Sequence, residues 1–200
     1  MKGSLIIVGF FVLGTICGVC HLLPFDIAET NISYYALCAL MFSVGLSVGN
    51  DPQTLKNFRS LNPRLVFLPI MTILGTLAGS AAGSLILTHR SITDCLAVGS
   101  GFGYYSLSSI FITEYKGAEL GTIALLANIS REILTLLAAP LLVRWFGNLA
   151  PISAGGATTM DTTLPIITRT AGQQFVVVSI FHGFVVDFSV PFLVTLFCSI

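Results

Sequence analysis

Charge is what this chain has least of. Only 9% of its 200 residues are Asp, Glu, Lys or Arg, where a soluble domain carries roughly a quarter. A surface so poor in charge does not stay dissolved, so most of it must face lipid. The nine basic residues balance the nine acidic ones, and without a basic excess nothing points to a nucleic-acid partner. The five cysteines form no disulfide or zinc framework. Cys17 and Cys20 make a CxxC, but it lies inside the apolar run Leu5 to Leu23. A thiolate there has no polar support, so the pair reads as packing. HExxH does not occur, and with no metal-binding motif the chain is not expected to be an enzyme or to hold a cofactor or metal.

What is present is apolar length, with a mean hydropathy of +0.93. A helix needs about 20 apolar residues to cross the hydrocarbon. Candidate crossings are 4–23, 32–49, 65–88, 119–146 and 175–199. The first is too long for a signal-peptide core, and no small-residue cleavage site follows it. Two more segments are long enough but interrupted: 92–113, broken, and 154–170, broken or re-entrant. Counting both gives an all-α polytopic membrane protein with about seven crossings in a single transmembrane domain, residues 1–200. Lys and Arg are retained on the cytoplasmic side. An inside N-terminus then places Lys2, Lys56, Arg59, Arg64, Lys116 and Arg169 inside and only Arg90 and Arg144 outside. The C-terminus is expected outside.

The interruptions are "GSGFGYYS", Gly99 to Ser106, and "GGATTMDTTLP", Gly155 to Pro165. Backbone polar groups cannot be left bare in hydrocarbon, so a broken helix survives there only when protein or a water-filled cavity covers it. Two such breaks, both rich in hydroxyls, fit the discontinuous helices from which secondary transporters build midplane sites. A kinked packing helix is the plainer alternative for either one.

Acidic and basic groups occur at depth as well. Asn128, Arg131 and Glu132 fall at i, i+3 and i+4 near the centre of "LLANISREILTLL", and Thr135 continues the face. An unpaired charge there costs about 2.5–3.5 kcal/mol on the insertion scale. Arg131 is expected either to neutralise Glu132 or to hold Glu132 or Asp161 ionised while one of them exchanges a proton. Asp161 has no Lys or Arg within seven residues. Thr158, Thr159, Thr162 and Thr163 are its expected solvation, a setting that suits a cation or a proton. His182 and Asp187 lie five apart in the last span. His182 reads as a hydrogen-bonded structural histidine. Asp94 closes "SITD", a helix cap.

Read in order, "SGFGYYSLSSIFITE", "ANISREI", "GGATTMDTTLPIITRTAG" and "HGF" resemble the bacterial lysine exporter (LysO) family. "LIIVGFFVLGTICG" and "LMFSVGLSVGND" extend the resemblance more weakly upstream. The resemblance implies proton-coupled export of L-lysine and its toxic analogues across the bacterial cytoplasmic (inner) membrane. It also implies a fold like the inverted-repeat transporters with crossed discontinuous helices. Full-length members carry further N-terminal spans, so the chain looks like the larger piece of a split exporter. A short companion membrane subunit, or a homodimer, is expected to supply the missing walls.

Lysine presents two ammonium groups and a carboxylate. Asp161, with Glu132, Asn128 and Arg131 nearby, is the expected ammonium and proton site. Thr158, Thr159 and Thr162, with Ser106, are expected to replace water. The N–H groups of Gly101, Gly103, Gly155 and Gly156 are the expected carboxylate donors. Tyr104 and Tyr105 are expected to meet the aliphatic stem or an ammonium through a cation–π contact. A sodium/proton antiporter and a non-transporting subunit of a split transporter remain the competing readings.

Overall fold

A computed structural model of the chain describes residues 63–87 and 89–200, together with the isolated positions Leu13, Ile16, Cys17 and Tyr35. The chain forms two compact units, Met1–Leu46 and Ser47–Ile200. The expected crossings 4–23 and 32–49, and Cys20, lie outside the described residues. All that follows concerns the second unit, in which every described element is helical.

Among the described residues three stretches are long and apolar enough to cross a membrane: Leu65–Ser84, Ala118–Phe146 and Gln173–Ser199. The first is helix α1, Leu68–Ser84, entered through a 3-10 turn at Pro63–Phe67. Pro69 sits in its first turn, where a missing N–H costs nothing. The later two contain α4, Ala118–Phe146, and α7, Val176–Ser199. Both are predominantly apolar. Leu126, Leu134 and Leu137 on α4, and Phe188 and Phe192 on α7, are exposed. Each would forgo about 1.5–3 kcal/mol of burial in water, so these faces belong to lipid. Phe184, Phe188 and Phe192 stack along one such strip, with centroids 6.5 and 5.3 Å apart.

Between these long helices lie four short ones. Helix α2 covers Ile92–Gly99 and α3 covers Tyr105–Lys116. Ser91 caps α2 by accepting from the Asp94 N–H at 3.0 Å, as "SITD" suggests. At 8 and 12 residues, neither reaches the roughly 30 Å of the hydrocarbon at about 1.5 Å per residue. They also double back. The Lys116 ammonium, at the end of α3, lies 3.8 Å from the Asp94 carboxylate at the start of α2. Arg90, just before α2, is ion-paired with Glu119 in the first turn of α4. Segment 92–113 therefore forms a hairpin that returns to the end it left, where an end-to-end passage was expected.

The second interrupted segment does the same from the opposite end. Helix α5, Ala150–Gly155, runs into a 3-10 turn at Gly156–Met160, and α6, Leu164–Ala171, leads back. Ile152 of α5, Ile167 and Ala171 of α6 and Val178 of α7 make one buried cluster. Val143 near the end of α4, Leu65 before α1 and Phe175 before α7 pack against it. Both arms thus root where α4 ends and α7 begins. Since α4 runs from the root of one hairpin to the root of the other, the two hairpins point towards each other.

Candidate functional site

The hairpins meet tip to tip. At the first tip the chain leaves α2 at Gly99 and turns through Phe102, at φ +46°, and Gly103, at φ +94°. Phe102 is fully buried, and a bulky residue at positive φ is an outlier that its surroundings must hold in place. At the second tip Gly156 takes φ +64°. The Ala157 N–H donates to the Phe102 carbonyl at 2.9 Å, joining the two turns directly. A Cβ on Gly156 would stand 2.2 Å from that same carbonyl oxygen, and one on Gly103 would stand 3.2 Å from the Gly155 carbonyl oxygen. Glycine is needed because backbone meets backbone here.

Helix α4 holds both tips from one side. Asn128, buried, accepts from the Gly103 N–H at 2.7 Å through Oδ1. Its Nδ2 donates to the carbonyls of Ala124 at 2.9 Å and Val98 at 3.3 Å. One amide so satisfies a carbonyl where α2 ends and an N–H just before α3 begins. One turn further on, Arg131 serves the second hairpin. Its Nε and Nη2 donate to the carbonyls of Ala154 at 2.8 Å and Ser153 at 3.0 Å, in the last turn of α5. Nη1 reaches Thr76 Oγ1 at 3.4 Å, and the guanidinium lies 5.9 Å from the Phe102 ring centroid. A cation at the negative end of a helix is well placed.

Arg131 forms no ion pair with Glu132 or Asp161; the two ion pairs among the described residues are Arg90–Glu119 and Lys116–Asp94. This corrects the expected Arg131–carboxylate pairing. Successive helical residues point about 100° apart, so Arg131 turns towards α5 and α1 while Glu132 turns the other way. Glu132 is half-buried and feels the charge of Asp161, as do Tyr104, Tyr105 and Asp187. The junction is therefore polarised. The guanidinium is on one side, and three carboxylates and two phenols gather on the other.

The threonines are placed differently from expectation. Thr158 Oγ1 donates to the Gly155 carbonyl at 3.0 Å and meets Thr163 Oγ1 at 3.2 Å. Thr159 Oγ1 lies 2.8 Å from the Gly156 carbonyl and 2.9 Å from that of Ser179. It also meets His182 Nδ1 at 3.2 Å, and His182 Nε2 meets Thr72 Oγ1 at 2.9 Å. These hydroxyls satisfy the irregular backbone and the buried histidine. Asp161 receives only the backbone N–H of Thr162. Asp161, Thr162, Tyr105 and Ser106 are exposed.

The expected donors for a carboxylate are largely occupied. The N–H of Gly101 goes to the Val98 carbonyl, that of Gly103 to Asn128, and that of Gly156 to the Ile152 carbonyl. Backbone in an apolar setting finds internal partners wherever it can. The start of α3 differs, for no side chain caps it. On the Arg131 side a largely apolar cavity of about 330 Å³ runs between α1, α2 and α4 towards Arg90 and Asp94. It contains none of the three clustered carboxylates.

Two features were passed over in the sequence. Phe102 lies between the two named glycines, and nothing in its residue type announces a positive φ. Asp187 entered the sequence reading only beside His182, as the partner of a proton relay weighed against a structural histidine.

Three long apolar helices and two facing hairpins define a multi-pass, all-helical membrane protein. The sequence profile of the lysine exporter LysO family matches residues 8–198, and the chain belongs to that family. It is 36% identical to the "Lysine exporter LysO" of Escherichia coli (strain K12) over 196 residues, which is 98% of this chain and 64% of that protein. It is 35% identical over the same length to a "Putative lysine exporter" of Haemophilus influenzae, covering 98% of this chain and 96% of that protein. The chain thus spans less than two thirds of the Escherichia coli relative and nearly all of the other. No solved structure matches the chain.

Proposed function

We propose that this chain exports L-lysine and lysine analogues across the bacterial cytoplasmic membrane as a secondary transporter driven by proton influx. The observation that carries the reading is the junction of two opposed hairpins with carboxylates gathered on one side, in a chain whose relatives are named lysine exporters. Asp161 takes an ammonium group of lysine in exchange for a proton, and Glu132 shapes the field in which it does so. The lysine carboxylate lies at the uncapped start of α3, beside Ser106, where free N–H groups and the helix dipole favour an anion. Tyr104 and Tyr105 flank the stem. Asn128 and Arg131 hold the tips together instead of touching the substrate, and Thr158 and Thr159 do the same within the second tip.

The proposed topology has five crossings and two re-entrant hairpins. The crossings are 4–23, 32–49 and the three long apolar helices. With the N-terminus inside, the first hairpin enters from outside and the second from the cytoplasm. Lys2, Lys56, Arg59, Arg64, Arg144 and Arg169 then lie inside, and Arg90 and Lys116 outside. Positive charge stays predominantly inside, as membrane insertion favours, and the C-terminus stays outside.

Reconstitution tests the reading. The chain is placed in liposomes, alone and with any short membrane protein encoded beside it, and radiolabelled L-lysine movement is followed under an imposed pH gradient. Gradient-driven lysine flux is expected. Sodium flux without lysine flux would replace the reading with the cation antiporter. Flux only with a companion would make the chain one part of a two-part exporter, and flux by the chain alone would leave a homodimer as the assembly to test.

A further inference from the structure

We propose that Asp187 is a second ammonium-binding carboxylate, so that two carboxylates at the hairpin tips receive the two ammonium groups of a dibasic amino acid. The proposal rests on the reading of the chain as a lysine exporter. Asp187 lies at the middle of α7 and is only 6% exposed. Among the described residues no hydrogen bond or ion pair reaches its carboxylate. A buried charge without partners is costly, and such groups are normally paired. Every fully enclosed side-chain N or O atom in the described residues has a hydrogen-bond partner. The oxygens of Asp187, having none, must therefore border open space.

That space lies at the tips. One turn before Asp187, Gly183 comes so close to the second tip that a Cβ there would stand 2.7 Å from the Met160 nitrogen. Residues four apart share a helical face, so Asp187 is on the side of α7 that packs against the turn. The Asp161 charge bears on Asp187, and both bear on Tyr104 at the first tip. His182, which also meets the second tip, is occupied by Thr72 and Thr159. Arg131 is occupied by α5. Among the described residues no Lys or Arg pairs with Asp187, and a ligand that brings its own ammonium would supply the partner. A single ammonium would leave one of the two carboxylates unanswered. Two ammoniums joined by a flexible stem answer both.

Equilibrium binding to the purified full chain tests this, with L-lysine, norleucine and 6-aminohexanoate as probes. The last two each lack one ammonium. Wild type is expected to prefer lysine to both. Asp187→Asn should weaken lysine binding roughly tenfold or more, as loss of one charge-assisted bond implies, and should reduce the preference over at least one of the two. Asp187→Glu should recover part of the loss. Lysine affinity unchanged in Asp187→Asn overturns the proposal, even where its pH dependence changes, since that would make Asp187 a proton site. Wild type that binds no lysine removes the exporter reading itself, and this inference with it. Should the variants not fold, wild type is treated with dicyclohexylcarbodiimide and its peptides are weighed. Protection of Asp187 by lysine and not by norleucine supports the assignment. Labelling that lysine does not change, or no labelling at all, refutes it.

Discussion

The direct bond between the tips makes a quantitative prediction that two glycines isolate. Gly156 and Gly147 both occupy backbone regions that side chains avoid, at φ +64°, ψ −127° and φ +87°, ψ 175°. Alanine at either position should cost about 1–3 kcal/mol for the backbone alone. Their surroundings differ completely. A Cβ at Gly147 meets nothing within 4 Å, whereas at Gly156 it would stand 2.2 Å from the Phe102 carbonyl oxygen. That oxygen belongs to backbone and cannot swing aside. Relief requires the tips to part, which breaks the bond from Ala157 and leaves a buried N–H without a partner, at roughly a further 1–3 kcal/mol.

Gly156→Ala should therefore be less stable than Gly147→Ala by about 1–3 kcal/mol. At roughly 2–4 °C per kcal/mol for a chain of this size, the melting temperatures should separate visibly. Thermal unfolding of the two variants in the same detergent measures the difference. Lysine counterflow in liposomes measures its consequence, and Gly156→Ala should lose flux at temperatures where Gly147→Ala keeps it. Equal losses of stability and flux would mean that the tip contact contributes nothing, and the argument for a joined pair of hairpins would fall.

The remaining predictions concern the charged groups. Asp161→Asn should reach the membrane, keep its melting temperature and lose pH-driven lysine flux; normal flux would remove Asp161 from the coupling step. Glu132→Gln should impair flux with little change in stability, because Glu132 has no ion pair to break and its loss strands no charge; a large drop in melting temperature would contradict this placement. Arg131→Lys keeps the charge but cannot fork onto the Ser153 and Ala154 carbonyls together. It should cost about 1–2 kcal/mol of stability, read by thermal unfolding, and an unchanged melting point would count against its role as a clamp.

The long apolar helices were legible because a bilayer imposes a length, and 65–88, 119–146 and 175–199 meet it. The breaks were legible because clustered glycine, and proline inside apolar sequence, cannot continue a helix cheaply. The direction of the chain after the first break was not. A helix that bends and continues and a hairpin that turns back have the same composition. What separates them is a pair of long-range contacts, Lys116 with Asp94 and Arg90 with Glu119, and sequence spacing does not announce which distant charges will meet.

The same limit applies within α4 on a finer scale. Asn128, Arg131 and Glu132 look like one polar stripe because they recur at i, i+3 and i+4. On a helix those offsets fall at about 0°, 300° and 40°. The stripe is therefore a fan, wide enough for its edges to face different neighbours. What decides each role is the element lying opposite. Asn128 at the centre faces the gap between α2 and α3, so an amide that both donates and accepts closes it. Arg131 at one edge faces the carbonyl end of α5, which needs only donors. Glu132 at the other edge lies towards Asp161 and Tyr105 and joins no ion pair among the described residues. A residue pair that resembles a self-neutralising ion pair in one dimension thus becomes a clamp and an unpaired acid in three. The acid stands beside Asp161 and forms no ion pair, and for that reason removing it should cost transport and not stability.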